Sequence, residues 1–200
     1  MKIFLLSMLS MFIIINLSGQ FKVNIEAGSN QNLVSSSDLP DANDAYGYYF
    51  MLGTEYAFSK AFSLKLDVQQ SVEQLDYRTF FVQKSNFSFL RSLLHAEFKP
   101  VGFVGFQVGG GVSYKYSGET TFNDVPLPIP GGGIEEYKYD VIGSAGFNVY
   151  FWRFSFALKY LQGVTDIDEV FIIDPTGTLF TRKGIRNSVL QLGLGYKFGS

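Results

Sequence analysis

Two hundred residues with a formal charge of −2, 46% hydrophobic and only 17% charged, allow one domain or two very small ones and exclude a disordered acidic or basic tail. An ordinary soluble domain has about a quarter of its residues charged; here 21 Phe, 12 Tyr and 21 Gly take that room, a mixture that suits strands, turns and a surface water does not wholly wet. Basic residues are neither in excess nor clustered, so no nucleic-acid partner is expected, and the absence of cysteine excludes disulfides, thiolate metal sites and a cysteine nucleophile.

In chain order, residues 1–19 read as a signal peptide. Lys2 supplies the positive start, Ile3 to Ile15 the apolar centre, and Leu17-Ser18-Gly19 the small-residue site ahead of Gln20. The apolar run is short for a spanning helix, which needs about 20 residues. Residues 20–200 then form the second unit, with 15 basic and 18 acidic side chains.

Eight segments in that unit alternate with period two, the signature of strands. They are Phe21 to Gly28, Tyr48 to Phe58, Phe62 to Val72, Phe87 to Lys99, Phe103 to Tyr116, Tyr137 to Val149, Phe154 to Gly163 and Asn187 to Phe198. In the third, Phe62, Leu64, Leu66 and Val68 share one parity, and Ser63, Lys65, Asp67 and Gln69 the other. An even number of strands suits an up-and-down meander. The connections alternate as well. Ser59-Lys60-Ala61, Pro100-Val101-Gly102 and Tyr150 to Arg153 are tight turns; Ser29 to Gly47, Glu73 to Asn86, Ser117 to Glu136 and Val164 to Gly184 are long and rich in turn formers. Short turns facing the periplasm and long loops facing outward are the habit of outer-membrane barrels.

The apolar parity of all eight segments contains no Asp, Glu, Lys or Arg. The opposite parity carries Lys22, Glu26, Glu55, Lys65, Asp67, Glu73, Arg91, Glu97, Lys99, Lys115, Lys138, Asp140, Lys159 and Lys197, with His95, Asn24, Gln69, Gln107, Asn148 and Gln191 among them. A soluble barrel turns its apolar side chains inward and a membrane barrel turns them outward, and period alone does not choose. The signal segment, strands of ten or more residues, and aromatics at both ends of the apolar face favour the membrane. Tyr48, Tyr114, Tyr116, Tyr137, Tyr139 and Tyr160 fall near the long-loop end, and Tyr56, Phe58, Phe62, Phe98, Phe154, Tyr196 and Phe198 near the short-turn end, as two interfacial girdles.

The segment Asn187 to Phe198, N-S-V-L-Q-L-G-L-G-Y-K-F, resembles the closing strand of outer-membrane barrels, with Leu190, Leu192, Leu194, Tyr196 and the terminal aromatic Phe198 at every second place; Gly199-Ser200 overhangs that pattern. Phe156 to Ile167 and Phe89 to Lys99 also resemble the small porin-like outer-membrane β-barrel family widespread in Bacteroidota. The resemblance implies an all-β, eight-stranded, antiparallel up-and-down transmembrane barrel in the Gram-negative outer membrane. It implies outer-membrane lipids as partners, and recognition by the barrel-insertion machinery through the strand ending at Phe198.

An eight-stranded barrel is just wide enough for side chains to fill. Eight basic and six acidic inward groups should pair, since an unpaired buried charge costs several kcal/mol. A salt-bridged plug is expected; a narrow channel or hydrophobe transporter is the alternative. His95 is the only histidine, two residues from Glu97 and four from Arg91, with Ser63, Ser113 and Ser155 on the inward parity. A Ser-His-carboxylate set is therefore compatible with the inventory, and with it a lipid A- or phospholipid-modifying enzyme. Lipid A deacylases on such barrels carry their histidine and serine on the lipid-facing wall, however, whereas parity sends His95 inward, and no phospholipase-like or zincin motif is present. Gly105, Gly109 and Gly111 continue a strand and do not lead into a helix, so they form no nucleotide fingerprint. Neither a cofactor nor a metal is indicated: Asp166, Asp168 and Glu169 lack calcium-loop spacing.

Val125 to Pro130 and Gly131-Gly132-Gly133 read as a stiff arm and a hinge. Val170 to Ile173, Asp174-Pro175-Thr176-Gly177 and Thr178 to Arg182 read as a hairpin projecting past the membrane, with Phe171, Ile173, Leu179 and Phe180 as its apolar content and the candidate contact with an extracellular protein or lipid. The expected role is non-enzymatic.

Overall fold

The computed structural model describes residues 21–33, 42–43, 45–78, 82–122, 125–126, 139–173 and 179–199. The proposed signal segment, the Pro-Gly arm after Pro126, Tyr137 and Lys138 lie outside the described residues. Eight long strands follow one another: β1 (Phe21–Asn32), β2 (Tyr46–Ala57), β3 (Phe62–Arg78), β4 (Val82–Val101), β5 (Val104–Phe122), β6 (Tyr139–Phe151), β7 (Phe154–Ile173) and β8 (Leu179–Phe198). Each pairs antiparallel with its sequence neighbour, and β8 returns to pair with β1 from Val23↔Phe198 to Asn32↔Val189. The sheet is a closed cylinder. Two further pieces, Ala42–Asn43 on β3 and Val125–Pro126 on β5, extend it at the long-connection end.

The register fixes the barrel's shape. Starting at Phe198 and stepping across the ladder through Val23, Thr54, Leu66, Leu94, Gly110, Gly143 and Gln162, the row returns to β8 at Ser188, a stagger of ten residues. Ten residues of rise spread over eight strands tilt the strands by about 40°, within the range of membrane barrels.

Parity sorts the side chains as the alternation predicts. Leu66, Val68, Leu94, Val108 and Leu194 face outward and are about half exposed or more, whereas Asp67, Gln69, His95, Glu97 and Lys159 face inward and are buried. The outer wall is apolar without interruption by charge between two aromatic rims. Tyr48, Tyr116 and Tyr139 are exposed at one rim and Phe58, Phe62, Phe98, Phe154 and Phe198 at the other, where they stack in pairs such as Phe62–Phe98 and Tyr196–Phe198. Such a wall is unfavourable in water at roughly 25 cal/mol per Å² of apolar surface, and matches the hydrocarbon of a bilayer. The protein is a transmembrane β-barrel.

Two expectations need correction. Glu73 to Asn86 and Val164 to Gly184 are strand over much of their length: β3 reaches Arg78, β4 begins at Val82, and β7 and β8 continue to Ile173 and from Leu179; β5 runs into the third connection as far as Phe122. Strands of 20 residues at that tilt rise about 50 Å, against a hydrocarbon core of about 30 Å, so these hairpins stand roughly 20 Å proud of the membrane. The second correction concerns a turn. The chain reverses at Gly102 and Phe103, after β4 has run to Val101, and the β4–β5 register slips between Phe98 and Val101, the place where Pro100 cannot donate to the ladder.

Candidate functional site

The lining of the cylinder concentrates the polar chemistry of the described residues. At the short-turn end, two buried carboxylates meet three ammonium groups. Glu97 accepts from Lys65 Nζ at 2.7 Å, Lys99 Nζ at 2.9 Å, Asn148 Nδ2 at 2.8 Å, Ser63 Oγ at 3.2 Å and the Tyr150 hydroxyl. Glu55 accepts from Lys99 and Lys197, both at 2.6 Å. The Tyr150 ring lies beneath all three cations, 4.0 Å from Lys197 Nζ, 5.0 Å from Lys99 and 5.5 Å from Lys65. Each charge in a low-dielectric tube thus has opposite charge or a π face beside it, as desolvation demands.

Further along the axis Lys159 Nζ binds Glu26 Oε1 at 2.6 Å, an oxygen that also accepts from the Tyr49 hydroxyl at 2.6 Å. Towards the long-connection end Arg91 Nη2 pairs with Glu73 at 2.5 Å, and Asn30, Ser71, Asn187 and Gln191 complete the hydrogen-bonded group. The expected salt-bridged plug is present among the described residues, but it is not wholly polar. Leu93, Ile142, Leu161 and Val189 form a buried apolar cluster inside the barrel, and Tyr49, Met51, Phe87 and Phe89 are buried with them. Phe87, Phe89 and Leu93 share the parity of Arg91 and His95, so alternation carried that signal.

His95 is fully buried and differs from the expectation in its partners. Its Nδ1 lies 3.0 Å from Asp67 Oδ2 and its Nε2 2.7 Å from Ser144 Oγ. Ser63 instead binds Glu97, Ser113 Oγ has no partner among the described residues, and Ser155 packs beside Gly195. The register explains the choice. His95, Gly109 and Ser144 occupy consecutive places in one row across β4, β5 and β6, and a Cβ on Gly109 would press on the Leu94 carbonyl and the His95 ring. Glycine there opens the space across which the imidazole reaches Ser144. Asp67 comes from β3, one ladder step from Leu93. Acid, imidazole and hydroxyl stand in the order a general-base relay requires. All three are buried, however: His95 is 0% exposed and Asp67 1%.

The loop hairpin is shown in its backbone only. Leu179 pairs with Ile173 and Phe180 with Ile172, while Phe171 pairs with Thr181. The side chains of Phe171, Ile173, Leu179 and Phe180, like those of Asp166, Asp168 and Glu169, lie outside the described residues. Among the described residues no group of three or more His, Cys, Asp or Glu is arranged to hold a metal ion.

No protein-family model and no curated protein matches the chain. Solved structures do. The crystal structure of Ail, the attachment invasion locus protein of Yersinia pestis, aligns over 90% of this chain and 99% of its own with a TM-score of 0.50 and 14% identity. The fold is the small outer-membrane barrel. The outer membrane protein OprG from Pseudomonas aeruginosa aligns over 90% and 96% at 17% identity and a TM-score of 0.47. Neisserial surface protein A aligns over 90% and 98% at 14% identity and 0.47.

Proposed function

We propose that the chain is exported by its signal segment, inserted into the Gram-negative outer membrane through its terminal strand ending at Phe198, and acts there as a non-enzymatic surface-interaction protein of the porin-like kind found in Bacteroidota. The observation that supports this reading most is that the interior charges bind one another. Glu97, Glu55, Glu26 and Glu73 each hold a lysine or arginine within the barrel, leaving the projecting hairpins as the part with chemistry to offer a partner. Phe171, Ile173, Leu179 and Phe180 on the β7–β8 hairpin are the contact residues of this proposal. Intact cells treated with trypsin should be cut at Arg182 or Lys183, and lipid bilayers carrying the purified protein should show no conductance above background. Cleavage only after the cells are opened would refute the outward hairpin, and steady channel currents would refute the closed interior.

One observation favours a second reading, a lipid-modifying hydrolase: the Asp67–His95–Ser144 relay. A serine nucleophile needs a substrate carbonyl within about 3 Å and a path to it, and burial of all three groups opposes this. Covalent labelling of Ser144 by a fluorophosphonate, abolished in His95→Ala, would favour the hydrolase; unlabelled wild-type protein and unchanged lipid composition on overexpression are expected.

A further inference from the structure

Charge is distributed unevenly between the two ends. By sequence, segments 20–22, 58–62, 99–103, 150–154 and 197–200 at the short-turn end hold five basic residues (Lys22, Lys60, Lys99, Arg153 and Lys197) and no acidic ones. Segments 33–45, 73–86, 117–138 and 164–186 at the opposite end hold 13 acidic and six basic residues. Lys99 and Lys197 are engaged by Glu55 inside the barrel, whereas Lys60 and Arg153 are exposed in their turns.

Arg153 stands at a built feature of the wall. Its guanidinium lies 5.4 Å from the Trp152 ring and its Nη1 3.4 Å from the Tyr196 hydroxyl, long contacts that leave donors turned outward. Trp152, 77% exposed, takes φ 55°, a left-handed conformation that a bulky residue rarely adopts, and its ring is thereby held beside Arg153 and Phe154. From this corner a groove of about 140 Å³ runs up the closing seam of the barrel, lined by Phe154, Tyr196, Gly195 and Leu194 on one side and Ile25, Glu26, Ala27 and Phe50 on the other, the Glu26 carboxylate being held by Lys159 inside the barrel. The pairs Ile25↔Tyr196 and Ala27↔Leu194 place it along the β1–β8 ladder, beginning at the aromatic rim and rising towards the middle of the apolar wall.

We propose that this seam binds one anionic phospholipid of the inner leaflet, its phosphate on Arg153 beside Trp152 and one acyl chain along the groove. The groove is apolar and faces hydrocarbon, so a chain of methylenes is its natural occupant; the cation and indole stand at headgroup level, where such residues anchor barrels. A lipid with net negative charge suits a rim whose exposed turns carry Lys60 and Arg153 and no acid, Lys99 and Lys197 being neutralised by Glu55 and Glu97 inside. A zwitterionic lipid brings its own ammonium group into the same field. Lipopolysaccharide, whose phosphates face the other side, would meet the acidic end. The inference rests on the membrane reading of the barrel and is independent of the hairpin's role.

The test uses the full-length barrel in bilayer discs, with phosphatidylglycerol and phosphatidylcholine of matched chains as probes and spin-labelled lipid reporting retention at the protein. The wild type should retain phosphatidylglycerol in preference to phosphatidylcholine. Arg153→Gln should lower that preference up to about fivefold at low salt, a difference that fades at high salt. Ala27→Trp, which fills the groove from the lipid side, should lower retention of both lipids and leave their ratio unchanged. Equal retention by the wild type, an unchanged preference in R153Q, or undiminished retention in A27W would overturn the site. Heat-dependent gel migration checks that each variant is a folded barrel; its loss in the wild type would overturn the membrane reading itself.

Discussion

Glu97→Gln tests the barrel's interior most directly, because it removes one charge and almost no volume. In the native protein Glu97 faces Lys65 at 2.7 Å and Lys99 at 2.9 Å, and neither it nor the Lys65 side chain is more than 6% exposed. Two carboxylates face three ammonium groups there; the variant leaves Glu55 alone among Lys65, Lys99 and Lys197. Lys99 and Lys197 keep Glu55, so the loss falls on Lys65, whose remaining contact in this cluster is the Tyr150 hydroxyl and ring. Removing one partner of a buried pair costs about 3–5 kcal/mol, most of it the desolvation of the stranded charge. Urea unfolding of the barrel in lipid vesicles measures this, and the sole tryptophan, Trp152, is a native fluorescent reporter at the membrane rim. The double variant Glu97→Gln, Lys65→Met should recover a large part of the loss, because it removes the stranded ammonium group and keeps its apolar stem. A loss below about 1 kcal/mol in E97Q, the scale of a solvated ion pair, would refute the closed, low-dielectric interior.

The remaining predictions address the wall, the glycine window and the relay. Leu94→Arg, an outward residue 49% exposed, should destabilise the inserted barrel by about 2–4 kcal/mol in the same unfolding assay, whereas a water-facing site would tolerate it. Gly109→Ala should cost about 1–3 kcal/mol, because its methyl meets the Leu94 carbonyl and the His95 ring, and should shift the His95 imidazole resonances in an NMR spectrum. Asp67→Asn should also disturb those resonances without changing lipid composition in cells that overproduce the protein; a changed lipid profile would transfer support to the hydrolase.

Most of the barrel was legible from alternation, and the reason is physical. Between the aromatic rims each strand separates hydrocarbon from an ionic lining, so Lys65 and Asp67 cannot exchange parity with Leu66 and Val68 without burying a charge in lipid. Beyond the rims both faces are free of that constraint. Asp168 and Glu169 stand next to each other in β7, and the stretch reads as a loop even though its backbone pairs with β8. The relay was illegible for another reason. Parity assigns His95, Asp67 and Ser144 to the same interior, but which of them meet depends on the register of three ladders and on the space at Gly109, and neither quantity is written in the pattern of any one strand.

The pairing of β1 with β8 also dictates how the polypeptide must reach its final state. Val23 finds its partner in Phe198, so the first strand keeps one side of its ladder unsatisfied until the eighth strand has been made and delivered. Contacts so distant in sequence form slowly, and an open strand edge beside exposed apolar residues invites aggregation during transit. The topology itself therefore leaves the free edge of β1 exposed to wrong pairing until β8 arrives.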